Sequence, residues 1–249
     1  MTFLEAIEEQ VLVLDGAMGT MTQDLDLSDR DFGGPDFRML GDLLSFSHPK
    51  AIEDIHLSYY RSGANMVETN TFGASPLRLS EYNFADLDLS NFEAIPSELD
   101  IQTASYEQIA YWMSKRSSEI AVRARERHRS DPNHDGRPLF VVGSIGPSNR
   151  VISKTAADLR EAGFDEIACN FYHQVLGLID GGADVLLFET QQDILEVKAG
   201  VIGAHQALSE RGVPLPIMVQ VTVDAFSKMQ IFNTDIHAAL VTVEGIGID

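Results

Sequence analysis

The sequence contains a single cysteine, Cys169. One thiol excludes an intrachain disulfide and fits a reducing, cytoplasmic setting. It also leaves this chain without the three converging thiolates of a thiolate-held zinc site. Basic residues are scarce: 18 Lys and Arg against 38 Asp and Glu give a formal net charge of −20. That balance argues against nucleic acid or an anionic membrane as a partner, and it favours solubility. No apolar run approaches the length of a membrane span. The start, Met1 to Glu9, is acidic and amphipathic and lacks the basic opening and apolar core of a signal peptide. Low-complexity tracts, short internal repeats and a separate second domain are also missing, so 1–249 reads as one unit.

The remainder is of globular composition, 44% hydrophobic with 19 Gly and 9 Pro. Five apolar runs each end in a polar group: Val11–Asp15, Met66–Asn70, Phe140–Ser144, Val185–Glu189 and Met218–Thr222. Apolar residues on both faces are the mark of strands buried on both sides of a parallel sheet. Helix patterns separate the runs. Thr2 and Glu5 form a capping box for the first. Pro49 opens another, which ends near Gly63. A long helix spans 106–128, amphipathic at first and then basic through Arg123, Arg125, Arg127 and Arg129. With the chain so acidic, this end reads as a solvated helix C-terminus, where cations are favoured. Further helices are expected at 165–180, with Asp165 as cap and Gly181-Gly182 as stop, at 194–208 and at 235–244.

Repeated β/α alternation implies a parallel sheet, either a doubly wound open sheet or a (β/α)8 barrel. Gly16 to Gly19 is only Gly-x-x-Gly, not a dinucleotide fingerprint. Polar groups at every strand end fit a barrel, whose site gathers at the C-terminal mouth. The helix pattern after the fifth run is the last before the sequence stops, where a sixth strand should begin. The expected fold is therefore α/β, of (β/α)8 TIM-barrel type, incomplete, with the first five β/α units present.

In such a barrel Asp15, Glu68, Asn70 and Glu189 converge on one mouth. Carboxylates placed there bind an ammonium group, hold a divalent cation or act as acid and base. Each alone could instead cap a helix, but several buried charges at equivalent strand ends are costly without a partner. The backbone of Gly16, Ala17, Met18 and Gly19, rich in small residues, and the Gly-rich stretch from Ser144 to Pro147 let amides approach a ligand carboxylate. Cys169 and His173 share a helix face, but two ligands do not make a stable zinc site. The histidines form no nucleophile–base pair, and Lys228 lies too far into a loop for a Schiff-base lysine.

The motifs Asp15-Gly-Ala-Met-Gly-Thr20, Glu68-Thr-Asn-Thr-Phe-Gly-Ala74, Gly143-Ser-Ile-Gly-Pro147 and Phe188-Glu-Thr190 follow successive strands in that order. They resemble the homocysteine S-methyltransferase family, and within it the homocysteine-binding barrels of cobalamin-dependent methionine synthases; segments 181–190 and 239–249 strengthen the likeness. The resemblance implies methyl transfer to the homocysteine thiolate in methionine biosynthesis. It implies zinc held by three cysteines, which lowers the thiol pKa. The implied methyl donor is methylcobalamin, recharged by methyltetrahydrofolate on another domain, or betaine or S-methylmethionine in related members. It also implies a substrate-binding set of Asp15, Gly16, Ala17, Met18, Gly19, Glu68, Asn70, Thr71, Ser144 and Glu189. In that set Asp15 to Gly19 holds the polar end of the amino acid, Glu189 takes the ammonium, and Asn70, Thr71 and the Ser144 loop line the pocket.

The family's zinc cysteines follow strands six and eight, beyond Asp249, and Cys169 matches none of them. The stretch from Phe84 to Pro138 is longer than the family's, and the loop Arg38 to Leu44 differs from its usual form. The expectation is a homocysteine-binding fragment, inactive alone, that self-associates or is completed by another chain. The alternatives are a non-catalytic binding or assembly subunit, and a Mg-dependent barrel lyase or aldolase built on Asp15, Glu68 and Glu189.

Overall fold

Four of the five apolar runs pair in parallel. The computed structural model describes residues 1–152, 160–229 and 231–248; Asp249, the end of the last segment of resemblance, lies outside them. Strands β1 (Met66–Glu68), β2 (Phe140–Ile145), β3 (Val185–Gln191) and β4 (Ile217–Val221) form one sheet in sequence order. Helices α1 (Phe3–Glu9), α2 (Met18–Gln23), α3 (Leu44–Ser47) and α4 (Pro49–Arg61) precede β1. Helices α5 (Pro76–Leu79) and α6 (Tyr106–Arg129) carry the chain to β2, α7 (Phe164–Asp180) to β3 and α8 (Ile194–Arg211) to β4, and α9 (Ile236–Glu244) follows. The first helix has the expected capping box, with the Thr2 and Glu5 side chains each bonded to the other's backbone.

Alternation along the strands sorts the side chains into two layers. Met66, Phe140, Val142, Val185 and Leu187 face inward, where Phe3 and Ala6 of α1 close the floor. Val67 and Val141 face outward onto Leu57 and Tyr60 of α4 and Ala121 and Ala124 of α6. Leu186 and Phe188 face outward onto α7 and α8. The outer helices touch without a side-chain cushion. A Cβ on Gly177 of α7, or on Gly181 just past its end, would come within 2.2 or 2.4 Å of the Tyr111 or Lys115 carbonyl of α6. One on Gly203 of α8 would come within 2.1 Å of the Ala168 carbonyl of α7.

Three sequence expectations need correction. The run Val11–Asp15 is not a full strand: it joins the sheet at one bridge, Leu14 to Met66, although Met66 N donates to Val13 O and Asp15 N to Met66 O. Leu12 and Leu14 pack inward, while Val11 is 89% exposed, so the run is held along one side only. The cap of α7 is Gly163 rather than Asp165. Gly163 N donates to the Glu166 carboxylate, and Asp165 falls in the first turn, where its charge suits the helix dipole. The basic end of α6 is not simply solvated. Arg123 and Arg127 pair with Glu53 of α4, and Arg125 pairs with Asp184 just before β3.

The long stretch before α6 forms an extra layer. Phe84, Leu87, Leu99 and Ile101 pack with Phe32, Phe37, Leu40, Leu43 and Phe46 over α4 and α6. Asp88 N donates to Gly33 O and Ala94 N to Phe46 O, which ties this layer to the polar loop between α2 and α3 and to α3 itself.

Candidate functional site

Where the inward alternation reaches the C-terminal strand ends, the apolar layer gives way to Glu68, Ser144 and Glu189. They open on a cavity of about 320 Å³. All ten residues proposed from the sequence line it: Asp15, Gly16, Ala17, Met18, Gly19, Glu68, Asn70, Thr71, Ser144 and Glu189. Thr22, Met39, Gly41, Asp42, Thr69 and Phe72 line it as well, and sequence reasoning had not found them.

Both Asp15 oxygens accept from Glu68 N, at 3.2 and 3.1 Å. The loop after Asp15 is braced by Tyr59 of α4, whose hydroxyl donates to Ala17 O at 3.2 Å and leaves little room for a side chain at Gly16. Ser144 Oγ donates to Glu189 Oε1. Glu189 is aimed by a break in register: Phe188 pairs with Val219 but Gln191 with Val221, so β3 carries an extra residue there. Thr190, inside this bulge, sits at φ +57°, a left-handed conformation that a β-branched residue adopts only under strain.

The loop containing Asp42 lines the cavity beside the segment that follows β1. Asn70 Nδ2 donates to Gly41 O at 2.9 Å, and Gly73 N donates to Asp42 Oδ1 at 2.9 Å. Asp42 was hidden in the sequence because its partner lies 31 positions away and the loop has no periodicity. Its only signal was the departure of the Arg38 to Leu44 segment from the family form.

Carboxyls crowd this cavity. Burial, then the nearby charge of Glu68, pushes Asp15 up to about 8, against the backbone bond from Glu68. Burial and the charge of Glu189 raise Glu68 to about 7. Burial raises Asp42 to about 6, opposed by the Gly73 amide. A site whose buried carboxyls have raised pKa values for want of a counter-charge is suited to a cationic ligand.

The sequence profile described as homocysteine S-methyltransferase matches residues 12–248. The chain belongs to the homocysteine S-methyltransferase family. It is 33% identical over 246 residues to a methionine synthase of Mycobacterium leprae and 32% identical to that of Mycobacterium tuberculosis. Each match covers 99% of this chain and 18% of the relative, so the chain spans about a fifth of their length. Among solved structures it resembles the homocysteine methyltransferase MmuM of Escherichia coli. The oxidized form matches with a TM-score of 0.69 at 22% identity, over 98% of this chain and 73% of that one. The metallated form gives 0.68 at 21% identity, over 96% and 73%. At this identity the likeness is one of fold, and it places the four-stranded sheet with the barrel-type methyltransferases. For this family member, the ordered strand-end motifs and the cavity they line coincide.

Proposed function

We propose that this chain is the amino-acid-binding part of a homocysteine S-methyltransferase barrel, of the methionine synthase kind, with residues 1–249 forming the barrel's N-terminal part. The observation that carries the reading is the convergence of Asp15, Glu68 and Glu189, from three different chain segments, on one cavity where burial and a neighbouring carboxylate raise the pKa of Asp15 and of Glu68. An α-ammonium supplies the missing positive charge. Asp15 and Glu189 are its first partners, Glu68 lies beside them, and Asn70, Thr71 and Ser144 border the rest of the ligand. The amides of Gly16 to Gly19 are assigned to the ligand carboxylate.

Thiolate-held zinc does not fit the residues present. The only cysteine, Cys169, is exposed on α7 and lines a different cavity, with Glu107, Glu166 and His173. Among the described residues no group of three or more His, Cys, Asp or Glu is placed to hold a metal ion, so the magnesium lyase or aldolase alternative gains no support. These residues bind and orient the amino acid, and they supply nothing that would ionise its sulfur. We therefore expect no methyl transfer from the chain alone. No described helix is long and apolar enough to cross a membrane.

Calorimetry with methionine or homocysteine tests the reading. Removing one partner of a desolvated charge pair costs roughly 2–5 kcal/mol. Asp15→Asn and Glu189→Gln should each bring binding to the limit of detection, and unchanged affinity in both would move the site elsewhere.

A further inference from the structure

Behind the cavity wall, α7 carries two buried amide side chains one turn apart, Asn170 and Gln174. Both reach the segment that follows β1. Asn170 Oδ1 accepts from Leu77 N at 2.7 Å, while Gln174 Nε2 donates to Thr71 O at 2.7 Å and to Ser144 O at 3.3 Å. Two carbonyl partners fix which end of the Gln174 amide faces them.

Thr71 and Ser144 line the cavity, whereas Gln174 is 0% exposed and outside its lining. The two lining residues also belong to a closed hydrogen-bond ring. Ser144 N donates to Thr69 Oγ1, the hydroxyls of Thr69 and Thr71 lie 2.7 Å apart, and Thr71 Oγ1 donates to Ser144 O at 2.7 Å. Because the Thr71 proton is committed to Ser144 O, Thr69 must be the donor to Thr71. The ring therefore runs in one direction from the Ser144 amide back to its carbonyl, and Gln174 bonds to its two strand ends from outside. The same Ser144 presents its hydroxyl to Glu189.

Gln174 is a poor device for stability alone. Its Oε1 has no hydrogen-bond partner although it is buried, and a half-satisfied buried amide contributes little net stability compared with an apolar side chain of the same size. What it does supply is a fixed spacing between the ends of β1 and β2.

We propose that Gln174 is a positioning residue of the binding site: by donating to the Thr71 and Ser144 carbonyls from behind the wall, it sets the angle at which Ser144 presents its hydroxyl to Glu189. The consequence for ligand affinity rests on the amino-acid-binding reading of the cavity; the consequence for Glu189 does not.

The test compares Gln174→Met, of similar size without a donor, and Gln174→Glu, which donates only when protonated, with Val175→Ala, a core control on the same helix. Urea stability, methionine affinity by calorimetry and the NMR titration of the Glu189 carboxyl in the ligand-free chain are measured for each. Gln174→Met is expected to weaken methionine binding at least about tenfold, the equivalent of one hydrogen bond, and to shift the Glu189 titration. Val175→Ala should lose stability while leaving both at wild-type values. Compared with wild type at the same pH, Gln174→Glu should lose more affinity at pH 8 than at pH 6, because its carboxylate repels the two carbonyls once ionised. Wild-type affinity and Glu189 titration in Gln174→Met would overturn the proposal. If the wild-type chain binds neither methionine nor homocysteine, the amino-acid reading fails, and the Glu189 titration still decides the role of Gln174.

Discussion

Binding of an amino acid by this cavity should be coupled to proton release, and the direction follows from the carboxyls. Asp15 titrates near 8 in the empty site, against an ordinary 3.8. An ammonium pairs with the ionised form, so the competent fraction at a given pH is the ionised fraction. For a group titrating near 8 that fraction is about 0.01 at pH 6 and 0.5 at pH 8, so affinity should rise about fiftyfold across the interval, each pH unit below the pKa costing about tenfold. Methionine is the better probe, because it has no thiol to titrate in the same range. Calorimetry in two buffers of different ionisation enthalpy at pH 7 should show a proton released to buffer. The stability of the empty chain should move the opposite way. Asp15 and Glu68 hold their protons more tightly folded than unfolded, so the folded state is favoured at low pH. It loses that advantage as pH rises from about 4 to 8 for Asp15 and from about 4.5 to 7 for Glu68. Asp15→Asn should flatten the stability curve between pH 4 and 8. An affinity for methionine constant between pH 6 and 8, with no buffer dependence, would refute the argument and leave the carboxyls without a cation to receive.

Thr190→Asn should stabilise the fold by about 1 kcal/mol in urea titration, because asparagine tolerates the left-handed conformation that threonine resists; a loss of stability would mean that the Thr190 side chain matters more than its backbone. Gly203→Ala should cost about 1–3 kcal/mol by driving a methyl into the Ala168 carbonyl, and wild-type stability there would show that α7 and α8 are free to separate. In light scattering the chain should self-associate rather than run as a monodisperse monomer. It exposes Val11 and Val13 along one side of the sheet and Phe226, Leu240 and Val241 after β4.

Most of the site was legible because strand alternation and strand ends are local properties. Glu68, Ser144 and Glu189 each follow an inward-facing apolar residue two positions earlier, so once a parallel sheet is granted they must share a mouth. The helices were legible where their start signals are local, as at the Thr2 cap and at Pro49, the first residue of α4. What the sequence concealed depends on distant partners. Asp42 and Met39 reach the cavity through a loop whose position is set by the extra layer of Phe84, Leu87 and Ile101. Gln174 read only as part of an amphipathic helix, since nothing local marks its contact with Thr71 more than a hundred positions away. The first run looked like the other four in composition but lacks a second neighbour, and pairing is not encoded in composition.

The backbone contacts among α6, α7 and α8 have a mechanical consequence. Close-packed interiors transmit strain rather than absorb it, and here two successive interfaces are pinned by glycines that bring backbone against backbone. These helices form one plate, and Gln174 bolts the cavity wall to it through Thr71 and Ser144. An arriving molecule has little chance of pushing that side outward. The give lies across the mouth, where α2 has no buried residue and Met39 is 88% exposed. The pocket is therefore a hard anvil facing a soft rim: the polar end of a ligand meets fixed geometry, while differences in its length and bulk are absorbed on the other side.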